Sequence, residues 1–138
     1  MHHDDVLFLA KHRISQAHEC LLSAENEVEL GIYKGAANRS YYCIFHAMRA
    51  VLAFDKFDSQ KHSGIISAFR QRYIKTGIFA AHFSDKIGSA FRIRNRSDYE
   101  DFYMVLKTDV VEQIDNAKMF LSAVEDYVNA VESPTGGQ

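Results

Sequence analysis

Two long heptad stripes, one near each end of the chain, constrain the fold more than any other feature of the sequence. Apolar residues recur in both at alternating steps of three and four. The first stripe consists of Leu7, Ala10, Ile14, Ala17, Leu21, Ala24 and Val28, and the second of Val110, Ile114, Ala117, Leu121, Val124, Val128 and Val131. This spacing places each set on one face of an amphipathic helix. A long helix is therefore predicted at each end of the chain.

Three further helices are predicted between these two. One of them carries an apolar face made of Ala37, Tyr41, Ile44, Met48 and Val51. Ser63 and Thr108 are expected to cap the third and fifth helices, and Ser84 to begin the fourth. The sequence has one proline and seven glycines, which are few turn-forming residues for a fold made of many short strands. The sequence therefore predicts an all-α, up-and-down bundle of four to five helices over residues 1–132, with a disordered tail at 133–138.

The chain lacks the signals of a secreted or membrane protein. No run approaches the roughly 18 consecutive apolar residues of a membrane span. The first five residues include two acids and no Lys or Arg, so a signal peptide is not expected. Cys20 and Cys43 fall within helical patterns and are interpreted as free thiols of a reducing compartment. We therefore expect a cytoplasmic protein that does not contact a membrane.

Charge is distributed unevenly along the chain. Residues 61–96 carry eight Lys or Arg against Asp85 alone, a net charge of +7. Residues 97–138 carry two Lys against nine acids, a net charge of −7. Two readings stay open. Either the middle third binds a polyanion, with Lys61, Arg70 and Arg72 among its contacts, or the acidic last helix packs beside the basic segment and neutralises it.

The predicted fourth helix contains a charged break in its apolar stripe. Ile87, Ala90 and Phe91 mark the face that should point to the core, and the next positions on that face are Arg94 and Asp98. A buried charge is costly unless it is paired or faces a partner. Either Arg94 and Asp98 form an ion pair at i,i+4 that fixes helix packing, or the stripe ends at a site or an interface.

A second face of the second helix is polar and aromatic. Its residues, at steps of three, four and three, are Arg39, Tyr42, His46 and Arg49. They offer guanidinium forks for phosphate, a hydroxyl group and a titratable imidazole, although a single helical histidine is more often structural. His62 follows Lys61 near the start of the third helix, where free backbone N–H groups could receive an anion. A solvated loop is an equal alternative there.

The sequence contains none of the common motifs for metals, cofactors or nucleophilic catalysis. An HExxH motif, a CxxC pair, a Gly-rich phosphate loop and a serine nucleophile elbow are all missing. No metal and no cofactor is therefore expected. Acid–base cleavage of RNA needs neither and stays open.

Three segments together resemble the HEPN superfamily, and more narrowly its small stand-alone prokaryotic branch. They are Arg39–Ala50 with the pattern R-x-YY-xx-FHA, Lys61–Gly64 with KH-SG, and Phe91–Tyr99 with R-xxx-DY. The resemblance covers roughly residues 5–130. It implies a bundle of four to five helices that forms a homodimer and is often encoded beside a minimal nucleotidyltransferase.

The resemblance also implies a site. Many HEPN proteins are metal-independent endoribonucleases with an R-x(4–6)-H motif that is brought together across the dimer. Arg94 and Asn95 match the arginine and its polar follower, whereas Tyr99 occupies the histidine position. Histidine exchanges protons near neutral pH, but an unperturbed tyrosine titrates only near ~10. A binding role therefore gains weight.

Three hypotheses follow. The first is a module that binds RNA or nucleotide and partners a minimal nucleotidyltransferase in a toxin–antitoxin pair. Its binding residues would be Arg39, Tyr42, Lys61, His62, Arg70, Arg72, Arg94, Asn95 and Asp98. The second is an endoribonuclease that uses Arg94, Tyr99 and His46. The third is a non-catalytic dimeric adaptor. In all three the homodimer interface is expected on the fourth helix, near Arg94–Tyr99.

Overall fold

Five α-helices account for most of residues 2–133, the part of the chain that the computed structural model describes. In chain order they are α1 (His3–Glu29), α2 (Tyr33–Leu52), α3 (His62–Phe69), α4 (His82–Tyr99) and α5 (Lys107–Glu132). A 3₁₀ turn at Ala53–Asp55 follows α2, and a π-helical turn at Arg70–Ile74 continues α3. These residues contain no strand, so the predicted all-α bundle of five helices is confirmed. Apart from Ser133, the predicted tail lies outside the described residues.

The starts of three helices differ from those predicted. Helix α3 has Lys61 at its N-cap and α5 has Leu106, so Ser63 and Thr108 lie within the first turn instead of capping it. Helix α4 begins two residues before Ser84. None of these N-cap residues makes a side-chain capping hydrogen bond. Packing of the apolar faces, more than capping, therefore decides where these helices begin.

Helix α2 lies at the centre of the bundle. It packs against α1, α4 and α5, and its predicted apolar face is buried, with Tyr41, Ile44 and Met48 almost inaccessible to solvent. Burial of that many large side chains on one helix makes α2 the main source of hydrophobic stabilisation. Its remaining face carries the polar residues of the candidate site, so the core and the site share one rigid element.

Helix α1 is rotated slightly from its predicted orientation. Ala10, Ala17 and Ala24 are buried as expected, but the buried face also includes Arg13 in place of Ile14. Arg13 is 7% exposed, and its Nη1 donates a hydrogen bond of 2.9 Å to the carbonyl oxygen of Arg49. The small alanines let α1 approach α2 closely, and the bonded arginine fits where a branched side chain was predicted.

The acidic α5 makes no ion pair with the basic segment, residues 61–96, among the described residues. It packs mainly against α2 and α1, and within residues 2–133 no ion pair joins α5 to α4. Lys86 of α4 shares a cavity of about 80 Å³ with Asp109 and Glu112, but none of the ion pairs among the described residues includes it. The charges of α4 and α5 thus lie near each other without a direct ion pair among the described residues, and both readings of the charge distribution stay open.

Two other sequence predictions can be compared with the bundle. Cys20 and Cys43 are both buried and both free, as expected. Across residues 2–133, no helix combines the length and the apolar character needed to cross a bilayer.

Candidate nucleic-acid interface

Arg94 on α4 is held by three neighbours. Its Nη2 donates to the hydroxyl of Tyr42 at 3.2 Å, and its Nη1 donates to Oδ1 of Asn95, also at 3.2 Å. Its Nε lies 3.0 Å from Oδ2 of Asp98, but the N–H is not aimed at that oxygen, so this contact is an ion pair without a hydrogen bond. The side chain is 17% exposed. The predicted Arg94–Asp98 pair is present, and it fixes a cation at the edge of the core.

Aromatic rings of α2 form the floor beneath this cation. The Arg94 guanidinium carbon lies 5.7 Å from the ring centre of Tyr41 and 5.6 Å from that of Tyr42. The guanidinium of Arg39 lies 5.1 Å from the same Tyr42 ring. Both arginines are within the distance at which a ring attracts a cation. Two positive groups therefore meet at one tyrosine, and within residues 2–133 only Asp98 supplies an opposing charge by an ion pair.

His62, at the start of α3, joins this arrangement. Its Nδ1 lies 2.8 Å from the hydroxyl of Tyr41, and its ring stacks on Phe45 with centroids 4.3 Å apart. Burial, and then the charges of Arg94 and Arg49, lower the pKa of His62, so the ring is neutral at pH 7. We name Arg39, Tyr41, Tyr42, His62, Arg94, Asn95 and Asp98 the Arg94 cluster.

The tautomer of His62 follows from Tyr41. Burial raises the pKa of Tyr41, so its hydroxyl keeps its proton at neutral pH. Among the described residues, Nδ1 of His62 is the one hydrogen-bond partner of that hydroxyl. We therefore assign Nδ1 as the acceptor and place the ring proton on Nε2. In this state His62 carries an N–H donor at Nε2, and its ring and the Arg94 guanidinium both contact the rings of Tyr41 and Tyr42.

His46 lies beside the cluster but not on the Arg94 side. Its ring centre is 6.0 Å from that of Tyr42, and its Nδ1 is buried without a hydrogen-bond partner. Burial, and then the positive charges of Arg49, Arg39, Arg13 and His12, lower the pKa of His46 to about 4. His46 and Arg94 each contact Tyr42, and no hydrogen bond joins them within the described residues.

Tyr99, the third residue of the predicted catalytic set, is the last residue of α4 and points away from the core. It is 77% exposed and makes no hydrogen bond within residues 2–133. The α4–α5 connection, residues 100–106, follows. In it Phe102 is 97% exposed and Met104 is 79% exposed. Sequence reasoning missed this exposed apolar segment, although the run Phe102–Leu106 directly after the R-xxx-DY motif was a usable signal.

The other predicted binding residues are more dispersed. Lys61 is exposed at the N-cap of α3. Arg70 donates from Nη2 to the carbonyl oxygen of Ser84 at 2.9 Å, and its buried Nε has no hydrogen-bond partner. Arg72 forms an ion pair of 3.4 Å with Asp55. In the described part of the chain Lys61 and Arg70 thus take part in no ion pair, whereas Arg72 pairs with Asp55.

An open groove of about 540 Å³, which the sequence did not reveal, lies between α3, the π-helical turn and α4. We name it the α3–α4 groove. Its lining residues are Ser63, Ile66, Ser67, Arg70, Gln71, Ile74, Lys75, Ser84 and Phe91. The ring of Phe91 also packs 5.8 Å from that of Tyr41, so the groove borders the Arg94 cluster.

Comparisons with known proteins agree with this architecture. A family model described as the HEPN domain matches residues 10–127. The chain is 26% identical over 115 residues to "Putative toxin MJ0142" of Methanocaldococcus jannaschii, covering 83% of this chain and 78% of that protein. It is 30% identical over 117 residues to a UPF0332 protein of Archaeoglobus fulgidus, covering 85% of this chain and 93% of that protein.

A solved structure shows the same fold. The crystal structure of ST0689, an archaeal HEPN homologue, superposes with a TM-score of 0.61 at 22% sequence identity, covering 86% of this chain and 97% of that one. The likeness in structure supports the helical architecture, and the family model spans most of the chain. This chain belongs to the HEPN domain family.

Proposed function

We propose that this protein binds RNA at the Arg94 cluster and acts as the toxin of a toxin–antitoxin pair. The observation that carries the proposal is the fixed guanidinium of Arg94 beside the neutral imidazole of His62, both packed on the same tyrosine rings. A planar guanidinium and an imidazole N–H are suitable donors to phosphate oxygens. No carboxylate from α5 forms an ion pair with Arg94, which leaves the site positive overall.

Asp98 favours RNA over DNA at this site. Its carboxylate is partly exposed beside the Arg94 guanidinium. A ribose 2′-hydroxyl can donate a hydrogen bond to that carboxylate while the adjacent phosphate accepts from Arg94, and deoxyribose lacks the donor. The ion pair would therefore have a second use, because it holds a hydrogen-bond acceptor and a donor next to each other at a partly exposed position.

Two observations support a protein partner. Two of the similar proteins, both from Methanocaldococcus jannaschii, carry the name "Putative toxin", and a toxin requires an antitoxin. By resemblance to small stand-alone HEPN proteins, we propose a minimal nucleotidyltransferase as that antitoxin. We also propose a homodimer formed through α4 and the α4–α5 connection. The exposed side chains of Tyr99, Phe102 and Met104 provide the apolar surface for it, next to the Arg94 cluster.

Metal-independent cleavage of RNA is the second candidate. It is favoured by the buried, unpartnered Nδ1 of His46 on the helix that carries Tyr42. Arg94 would stabilise the negative charge that develops on the phosphoryl oxygens, His46 would accept a proton and Tyr99 would donate one. A histidine with a pKa of about 4 is a weak base at neutral pH. We therefore favour RNA binding over RNA cleavage. Cleavage by Tyr99→His but not by wild type would show that the tyrosine limits catalysis.

Incubation of the purified protein with total RNA tests both candidates. Immobilised wild type should retain RNA at low salt, and Arg94→Ala should retain far less. Arg96→Ala is the matched control, because Arg96 is an exposed arginine of the same helix and pairs with Glu100. RNA recovered intact supports binding without cleavage, whereas fragments that disappear with Arg94→Ala support the second candidate. No retention by wild type would contradict the proposal.

A further inference from the structure

We propose that the α3–α4 groove is a base subsite, which receives one nucleobase of a single-stranded RNA whose phosphate lies at the Arg94 cluster. This inference rests on the proposed function and adds to it the form of RNA that is bound. A base can enter the groove only when it is unpaired. The protein should therefore select single-stranded RNA over a duplex.

The dimensions and floor of the groove suit a flat aromatic ligand. Its volume of about 540 Å³ lies within the range of roughly 300–1,000 Å³ that is typical of small-molecule sites. Ile66, Ile74 and Phe91 contribute apolar surface to it. The half-buried ring of Phe91 offers a stacking surface, which is how proteins bind unpaired bases without strong sequence preference.

The charged and polar groups of the groove favour a nucleotide over an apolar side chain of a protein. Arg70 and Lys75 line the groove, and neither takes part in an ion pair among the described residues. Arg70 is anchored by the Ser84 carbonyl oxygen, and its Nε is buried without a hydrogen-bond partner. Ser67 and Gln71 can donate to or accept from the edge of a base. An occupant that is flat, polar at its edge and anionic matches all of these groups.

The π-helical turn forms one wall of the groove. Lys75 N–H donates to the carbonyl oxygen of Arg70 at 2.8 Å, an i to i+5 bond that adds a residue to the turn. Arg70, Ile74 and Lys75 consequently all line the same groove. Such π-bulges are frequent at functional sites.

The groove and the Arg94 cluster are close enough for one nucleotide to occupy both. Phe91 precedes Arg94 by three residues on α4, which is about 4.5 Å along the helix axis. Ser63 of the groove directly follows His62 of the cluster. Phe91 also packs on Tyr41, the residue that orients His62. A nucleotide can therefore place its base on Phe91 and its phosphate between Arg94 and His62.

The test compares a fluorescent single-stranded RNA oligomer with an abasic oligomer of the same length and charge, by anisotropy. Wild type should bind the normal oligomer at least about fivefold more tightly, since stacking of a base on an aromatic ring contributes that much or more. Ser67 lies at an exposed position of the groove. Ser67→Phe should block the groove and remove the preference for the normal oligomer, while affinity for the abasic oligomer stays unchanged. Ser122→Phe on the exposed face of α5 is the matched control and should keep the preference.

Phe91→Leu provides a second variant, because it keeps the groove apolar and removes the aromatic ring. It should reduce the preference for the normal oligomer, measured as the ratio of its affinity to that of the abasic oligomer. Equal binding of the two oligomers by wild type would overturn the base subsite but leave phosphate binding intact, and a protein side chain would then be the better occupant. The base subsite would also be overturned if Ser67→Phe kept the wild-type preference for the normal oligomer over the abasic one. Failure of both oligomers to bind would reject the proposed function, and the subsite with it.

Discussion

The guanidinium of Arg94 donates a hydrogen bond from Nη2 to the hydroxyl of Tyr42 at 3.2 Å, joining α4 to α2 across 52 residues of sequence. Because α2 is the central helix, this bond ties the candidate site to the most rigid part of the bundle. It also aims the guanidinium without neutralising it, since a phenol is uncharged at neutral pH. We therefore expect affinity for an anion and stability of the fold to depend on the same contact.

Removing the hydroxyl of Tyr42 should weaken both RNA affinity and the stability of the fold. In Tyr42→Phe the aromatic ring still attracts the cation, but Arg94 loses one of its two hydrogen bonds. We expect a loss of about 1 kcal/mol in the free energy of unfolding and a several-fold loss of RNA affinity. Urea denaturation and fluorescence anisotropy measure the two effects. Tyr33→Phe is the control, because the Tyr33 hydroxyl makes no hydrogen bond within the described residues. Equal losses in both variants would contradict the role of this bond.

Stability should fall on mild acidification because of His46. Its pKa is about 4 in the folded protein and near ~6.5 in the unfolded chain, so the unfolded chain takes up the proton more readily. The stabilisation is complete above pH ~6.5 and is lost as the pH falls towards about 4. Solvent reaches part of the ring, so the loss should be well below ~1.4 kcal/mol per pKa unit.

Urea titrations at a series of pH values measure this effect. His46→Gln should flatten the decline between pH ~6.5 and about 4, whereas the exposed His82→Gln should leave the wild-type profile unchanged. If the unfolding free energy of His46→Gln declined with pH as steeply as that of wild type, other groups, such as His62, would be the cause of the decline.

The homodimer should depend on the α4–α5 connection. Phe102→Asp places a charge in the proposed apolar interface and should convert a dimer into a monomer, as measured by light scattering. Phe8→Asp is the matched control, since Phe8 is also strongly exposed but lies near the start of α1. A wild type that is monomeric at high micromolar concentration, or a dimer that survives Phe102→Asp, would place the interface elsewhere or exclude it.

The sequence predicts the helices because their apolar spacing is strictly local information. All five residues of the predicted α2 stripe are buried, together with seven others, and six of the seven residues of the predicted α5 stripe are buried. Arg94 and Asp98 were recognisable as a site because they interrupt such a stripe, and an i,i+4 pair is also local. Helix starts were less predictable, because packing between helices overrides the capping preferences of Ser63 and Thr108.

The rest of the site depends on contacts between distant segments. His62 could be selected as an anion ligand from the chain, but its bond to Tyr41, and therefore its tautomer, requires the fold. The burial of Arg13 depends on the rotation of α1 against α2, which the repeat pattern leaves open. The α3–α4 groove exists because a π-helical turn continues α3, and no residue pattern marked that turn.

The salt dependence of RNA binding tests the central claim most directly. A fluorescent single-stranded RNA is titrated with wild type, Arg94→Ala and Lys118→Ala at salt concentrations from about 50 to about 200 mM. Lys118 pairs with Glu25 on the opposite, acidic side of the bundle. We expect affinity to fall steeply with salt in wild type and Lys118→Ala. Arg94→Ala, with its helicity confirmed by circular dichroism, should bind at least about tenfold more weakly and lose about one unit of salt slope. Affinity that is insensitive to salt, or equal in wild type and Arg94→Ala, would contradict phosphate recognition by Arg94.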